Sequence, residues 1–216
     1  MKECLIFDVD GTLWDACDNI LIAQNEVISK ELGIDNYLNM DILNRVMGLE
    51  LEEIARVFFP QLEEKYAIEL TNKGMANEAK YLSEHGGNMY DQVPETLEEL
   101  SKKYRLFIIT NGVKSTQDGR FGISPITKYF EKIFISEVIG AEKPSKVFFD
   151  AVENGIEGYC REKAIVIGDS LSSDIKGALN AGIDCIWYNP IKKEAPEGWQ
   201  ITHIVESFEE ILEILK

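Results

Sequence analysis

Residues 3–12 read Glu-Cys-Leu-Ile-Phe-Asp-Val-Asp-Gly-Thr, an apolar run that ends in two aspartates and a Gly-Thr turn. An apolar run this short, over residues 3–8, predicts a strand covered on both faces. The same theme recurs downstream at 106–110 (LFIIT), 132–136 (KIFIS), 164–168 (AIVIG) and 184–188 (DCIWY). Helical segments are predicted between these runs, over 95–104 after Pro94, 113–121, 145–154 and 174–181. Leu97 and Leu100 share one helix face, and Gly155 and Gly182 stand where helix stops are wanted. A strand over 201–205 and a helix over 207–215 close the series. Strands alternating with helices predict an α/β chain with a doubly wound parallel sheet.

Residues 16–86 carry no strand signal. Their apolar periods are helical: Ile20, Ala23, Val27 and Ile28 before Gly33, then Leu51, Ile54, Ala55 and Phe58 before Pro60, then a long polar-rich segment ending at Gly86-Gly87. An all-helical domain over 16–87 is therefore expected as an insertion in an α/β domain made of 1–15 and 88–216. Trp14 and Phe58 are expected in the core of the helical domain, with base stacking as the other role open to them. Asp15 and Asp18 are expected as helix caps or turn formers, and His85 in a loop beside Gly86-Gly87.

Composition narrows the function. The chain has 216 residues, 45% hydrophobic and 28% charged, which is enough for a full core. Lys and Arg number 22 against 38 Asp and Glu, so the net charge is 22 − 38 = −16. That excess repels nucleic acid and anionic lipid, and much of it is expected on solvated helix faces such as Glu50, Glu52 and Glu53. No apolar run is long enough to span a bilayer, and the first residues, with only a short apolar stretch before two aspartates, are not expected to be a signal peptide. A cytoplasmic location is expected. Cys4, Cys17, Cys160 and Cys185 are scattered without a C-x-x-C pair, so each is expected to be a small buried hydrophobe rather than a zinc ligand or disulfide partner. His85 and His203, the latter in a short strand, have no Cys, Asp or His at ligand spacing. The sequence specifies no oligomeric state.

In open parallel sheets ligands bind beyond the carboxyl ends of the strands. Those ends carry Asp8 and Asp10, then Thr110-Asn111-Gly112, then Lys143-Pro144 at the start of a helix, then Asp169 with Asp174 following. This set suits phosphoryl transfer. Asp8 and Asp10 are two apart and lean to one side in extended chain, so one can attack while the other serves as acid and then base. Asp8, Asp169 and the carbonyl of Asp10 offer oxygen ligands suited to Mg²⁺. Thr110 and Asn111 can hydrogen-bond the phosphoryl oxygens, Lys143 supplies a point charge, and Gly11 allows the tight turn.

Asp-Val-Asp-Gly-Thr, Ile-Thr-Asn-Gly, Glu-Lys-Pro and Gly-Asp-Ser-x-x-x-Asp resemble the four motifs of the haloacid dehalogenase-like superfamily, across essentially the whole chain. The resemblance implies a Rossmann-like core with a helical cap. It implies Asp8 as nucleophile, Asp10 as general acid and base, Thr110 with Asn111 and Gly112 as the phosphate loop, and Lys143 as charge stabiliser. Mg²⁺ would be held by Asp8, Asp10 and Asp169, with Asp174 as a ligand or one step behind. Dehalogenases of the superfamily lack the second aspartate, so Asp10 implies phosphate ester hydrolysis. Arg45-Val46-Met47-Gly48 resembles the cap segment of phosphoglycolate phosphatase and β-phosphoglucomutase relatives, where Arg45 could grip a substrate carboxylate or sugar hydroxyl; otherwise Arg45 is a solvated residue and Met47 is cap core. The segments after Thr110 and Asp169 look like the pyrimidine 5′-nucleotidase branch, although that branch often carries a second Asp where this chain has Gly11.

The expected activity is a magnesium-dependent phosphatase acting on a small phosphorylated metabolite: phosphoglycolate, a nucleoside monophosphate or a sugar phosphate. A β-phosphoglucomutase-like mutase would use the same residues, a dehalogenase would lack the need for Asp10, and a receiver-like binding module would place its phosphorylated Asp on a later strand.

Overall fold

The computed structural model describes residues 2–47 and 49–216, so Gly48 of the Arg45–Gly48 segment lies outside the described residues. The chain begins with β1 (Cys4–Phe7) and β2 (Trp14–Asp15), and passes through helices α1 (Cys17–Leu32), α2 (Met40–Val46), α3 (Leu51–Phe58) and α4 (Glu64–His85). It returns as β3 (Asn88–Met89), then α5 (Val93–Ser101), β4 (Arg105–Thr110), α6 (Lys114–Ile123), β5 (Phe130–Ile135), α7 (Ser136–Ile139), α8 (Lys146–Gly155), β6 (Ala164–Gly168), α9 (Lys176–Ala181), β7 (Asp184–Tyr188), β8 (His203–Val205) and α10 (Phe208–Leu215).

Two compact units result. One comprises residues 1–15, 88–117 and 124–216, the other residues 16–87 and 118–123. The first holds a six-stranded parallel sheet in the order β5-β4-β1-β6-β7-β8. Its inner strands are buried almost throughout, which is why they are apolar on both faces rather than alternating. Cys4 and Ile6 face a cluster with Phe148, Phe149, Ile175 and Ala178. On the other face Tyr188 meets Phe208 of α10 at 5.2 Å. Each fully buried Ile or Phe contributes roughly 1.5–3 kcal/mol on leaving water, so a polar residue at Ile6 would break the centre of the sheet. The edge strands β5 and β8 carry the exposed residues Glu131, Lys132 and His203. The winding reverses at β1, between β4 and β6, and ligand crevices form at such a reversal.

The helical unit has its own core, in which Ile28, Leu43, Ile54, Phe58 and Leu70 are buried together. Local chemistry sets its helix ends. Asn39 accepts the Ile42 N–H at 3.0 Å as the cap of α2, and Glu50 and Glu53 form a reciprocal capping box on α3. The Asn25 side chain ties both the N–H and the carbonyl of Leu38, at 2.8 and 2.9 Å. Among the described residues no helix is long and apolar enough to cross a membrane.

Several expectations shift. The helix expected over 95–104 starts earlier, because Val93 and Pro94 form its first turn, and it ends at Ser101. Ser145 and Ser207 cap α8 and α10 rather than open them. Gly182 ends α9 with φ 67°, whereas Gly155 is itself the last residue of α8. Residues 171–175 form one π-helical turn ahead of α9, a widening frequent at functional sites. His85 is the last residue of α4, stacked on Tyr81 at 4.0 Å, and not in a loop. Asp15 lies in β2, and Ala16 stands at the N-cap position of α1. Trp14 belongs to the α/β unit, where β2 pairs with β3 through Trp14–Met89. Met47 is 62% exposed and is not core. Cys4 and Cys185 are buried, but Cys17 and Cys160 only partly so; all four are free thiols.

Candidate active site

Asp8 follows β1 directly, and its N–H donates to the Ile167 carbonyl at 2.8 Å, which extends the β1–β6 ladder to the site. Its carboxylate is buried. Lys143 Nζ donates to Asp8 Oδ1 at 2.5 Å and to Asp174 Oδ1 at 2.7 Å, with both carboxylates and the ammonium shielded from water. Asp174 reaches this position because the π-helical turn folds it back beneath β6, where the Ser170 N–H donates to Asp174 Oδ2 at 3.1 Å. Asp169 stands at the end of β6, and its N–H donates to Thr12 Oγ1 at 3.0 Å. The Thr12 hydroxyl in turn faces Asp8 Oδ2 at 3.3 Å and Asp169 Oδ1 at 3.2 Å. Gly11, at φ +85°, brings the chain so close to Asp169 that an added Cβ would lie 2.6 Å from Oδ2.

These contacts bring Asp8, Asp169 and Asp174 together so that one oxygen of each lies within 4.8 Å of the others. Burial and the neighbouring charge of Asp174 push the Asp8 carboxyl up to about 8, against the pull of Lys143. Burial, again with Asp174, lifts Asp169 to about 6. Burial alone would lower the Lys143 ammonium, but Asp174 and Asp8 outweigh it and hold it above the ordinary lysine range. Three ionised carboxylates against one ammonium leave 1 − 3 = −2 at this point of the fold. A divalent cation offsets that charge. The donors are all oxygen, and their spacing admits the about 3–4.2 Å separations of ligands around an octahedral Mg²⁺. The residues therefore fit a hard divalent ion.

The remaining expected residues divide. Asp10 stands outside the group of three; its side chain is exposed and its Oδ1 accepts the Trp14 indole N–H at 3.2 Å. Thr110 is buried at the end of β4 and accepts from Gln117 Nε2 at 3.2 Å. Asn111 turns its amide onto the main chain of Lys143, accepting from its N–H at 2.9 Å and donating to its carbonyl at 3.1 Å. Gly112 donates its N–H to Ser136 Oγ at 2.9 Å. Arg45 lies exposed in the last turn of α2, in the helical unit. Lys143-Pro144 is a cis peptide. Sequence reasoning missed Thr12, Trp14, Gln117 and Ser136 as supports of the site. Thr12 sits inside the Asp-Val-Asp-Gly-Thr motif and could have been noticed, Gln117 meets Thr110 where α6 turns back on the end of β4, and Ser136 meets Gly112 only when β4 and β5 pair.

The match to known proteins follows the same residues. A family model described as haloacid dehalogenase-like hydrolase matches residues 5–188. A Streptococcus pneumoniae protein named pyrimidine 5′-nucleotidase PynA is 32% identical over 228 residues, covering 98% of this chain and 94% of that one. The phosphoglycolate phosphatase of Aquifex aeolicus is 28% identical over 180 residues, 82% of this chain and 80% of the other. The crystal structure of the Bacillus subtilis HAD-hydrolase YfnB, described as bound to magnesium, is similar with a TM-score of 0.82 and 29% identity, covering 100% of this chain and 99% of that one. With six parallel strands, the strand-end acidic cluster and a family match over most of its length, the chain belongs to the haloacid dehalogenase-like hydrolases.

Proposed function

We propose that the chain is a Mg²⁺-dependent phosphatase of small phosphate monoesters, working through an aspartyl phosphate on Asp8. The observation that carries this reading is the buried Asp8 carboxylate, held by Lys143 at 2.5 Å inside a group of three carboxylates. A nucleophile in that position is ionised only if cations surround it, and the site provides one in Lys143 and oxygen ligands for another. Asp8, Asp169 and Asp174, with the Asp10 carbonyl, would hold the metal, which would supply charge neutralisation for the phosphoryl group.

The chain's own residues account for the rest. Asp8 attacks phosphorus and the bond to the ester oxygen breaks, while Asp10 gives that oxygen a proton. Asp10 then takes a proton from water as water attacks the phosphorus of the acyl phosphate, releasing inorganic phosphate and restoring Asp8. The Thr110 hydroxyl, which accepts from Gln117, and the backbone N–H of Asn111, in the turn that Ser136 fixes through the Gly112 N–H, present donors to the phosphoryl oxygens. Asn111 fixes the main chain from which Lys143 reaches Asp8, so Asn111 serves the site through Lys143. The helical unit, residues 16–87 with 118–123, acts as a cap, and Arg45 supplies it with an exposed cation for a substrate oxyanion or hydroxyl. The relatives named pyrimidine 5′-nucleotidase and phosphoglycolate phosphatase support nucleoside monophosphates and phosphoglycolate as the first substrates to test.

The test is phosphate release from p-nitrophenyl phosphate, phosphoglycolate, nucleoside monophosphates and sugar phosphates, with and without Mg²⁺, beside Asp8→Asn. Metal-dependent release that vanishes in Asp8→Asn is expected. Release undiminished in the variant would remove Asp8 from the mechanism.

A further inference from the structure

Trp14 is 1% exposed, yet its indole N–H meets a carboxylate that faces solvent, Asp10 Oδ1, at 3.2 Å. The backbone dictates this meeting. The N–H groups of Thr12, Leu13 and Trp14 converge on the Val9 carbonyl at 3.2, 2.8 and 3.3 Å, and Gly11 N–H donates to the Trp14 carbonyl at 2.9 Å. The chain therefore coils tightly between Asp10 and Trp14, with Gly11 at φ +85°. On the far side Trp14 pairs with Met89 in the β2–β3 ribbon, and Tyr90 N–H donates to the Leu13 carbonyl at 3.3 Å. The ring is fixed by packing and by main-chain bonds on both flanks, so the indole N–H is a stationary donor.

We infer that Trp14 is the positioning residue of the acid–base carboxylate: its indole N–H, bonded to Asp10 Oδ1, holds that carboxylate in one rotamer for proton transfer to and from the reacting group. Indole is a donor only, so it can bind Asp10 only through an oxygen lone pair. A carboxyl oxygen keeps a lone pair in the ionised and in the protonated form, so the contact fixes the rotamer through both. This inference rests on the phosphatase reading above. The alternative is that Trp14 is only core packing and Asp10 its nearest acceptor.

The two are separated by leaving-group dependence. General acid assistance matters for a poor alkoxide leaving group and little for p-nitrophenolate. kcat/KM, which covers the step that expels the leaving group, is measured on p-nitrophenyl phosphate and glycerol phosphate for the unmodified protein, Trp14→Phe and Asp10→Asn. Asp10→Asn should lose far more on glycerol phosphate than on p-nitrophenyl phosphate. Trp14→Phe keeps the bulk and lacks the donor; it should lose about tenfold on glycerol phosphate and less than about twofold on p-nitrophenyl phosphate. Equal losses on the two esters in Trp14→Phe overturn the inference and leave the phosphatase reading standing. An Asp10→Asn variant without leaving-group dependence instead overturns Asp10 as the acid, and the inference with it. Should Trp14→Phe not fold, the indole spectrum tests the contact on which the inference rests. The chain has three tryptophans, and in ¹⁵N-labelled protein Asp10→Ala should move one of the three indole N–H resonances upfield as its bond is lost. A spectrum unchanged by Asp10→Ala overturns the inference.

Discussion

Removing the Lys143 ammonium without removing its bulk, as in Lys143→Met, tests the electrostatic account of the site. Lys143 is buried and lies 2.5 Å from Asp8 and 2.7 Å from Asp174. Breaking a buried ion pair by deleting one partner costs about 3–5 kcal/mol, because the other charge stays buried and uncompensated. At roughly 2–4 °C per kcal/mol for a chain of this size, the metal-free variant should melt roughly 6–20 °C lower at pH 8.5. The loss should shrink at pH 6. There a proton can stand in for the ammonium, since burial and Asp174 already raise the Asp8 carboxyl to about 8. The sign follows from linkage: a carboxyl whose folded value lies above its unfolded value, about 3.9, contributes stability below about pH 4 and loses it as pH rises through about 8. Mg²⁺ should therefore stabilise both proteins more at pH 8.5 than at pH 6, and the variant more than the unmodified protein. The assay is thermal unfolding by circular dichroism in EDTA and in Mg²⁺ at both pH values. A Lys143→Met variant within about 1 kcal/mol of the unmodified protein at pH 8.5 in EDTA would refute the claim that the ammonium holds the carboxylates together.

Two smaller perturbations address the turn after β1. Thr12→Val keeps the volume but deletes the hydroxyl that accepts the Asp169 N–H at 3.0 Å; a loss of about 1–3 kcal/mol in denaturant unfolding is expected, and a change within error would mean that water replaces the hydroxyl. Gly11→Ala must place a Cβ 2.6 Å from Asp169 Oδ2 at φ +85°. It should cost about 1–2 kcal/mol in backbone strain and raise the Mg²⁺ concentration needed for half-maximal activity, whereas an unchanged metal requirement would show that Asp169 does not set metal affinity.

What the sequence by itself determined is whatever depends on neighbours along the chain. Apolar runs such as AIVIG and DCIWY were readable as inner strands because both faces of a central parallel strand must leave water, and their bounds are those observed. The strand-end residues Asp8, Thr110 and Asp169 were readable because a parallel sheet aligns its carboxyl ends on one edge. The two-residue strands β2 and β3 were not, since Trp14-Asp15 and Asn88-Met89 carry too little pattern to announce a pairing across more than seventy residues. Trp14 was misplaced for the same reason: its apolar bulk says that it is buried, and only the ribbon says where. Asn111 was readable as a strand-end residue of the phosphate site, but its amide's bonds to the main chain of Lys143, 32 residues on, were not, since only the fold brings that residue beside it. The close grouping of Asp8, Asp169 and Asp174 around one ammonium is likewise a product of tertiary structure, because pairwise electrostatics depends on distance and burial, and both are set only when β1 and β6 lie side by side.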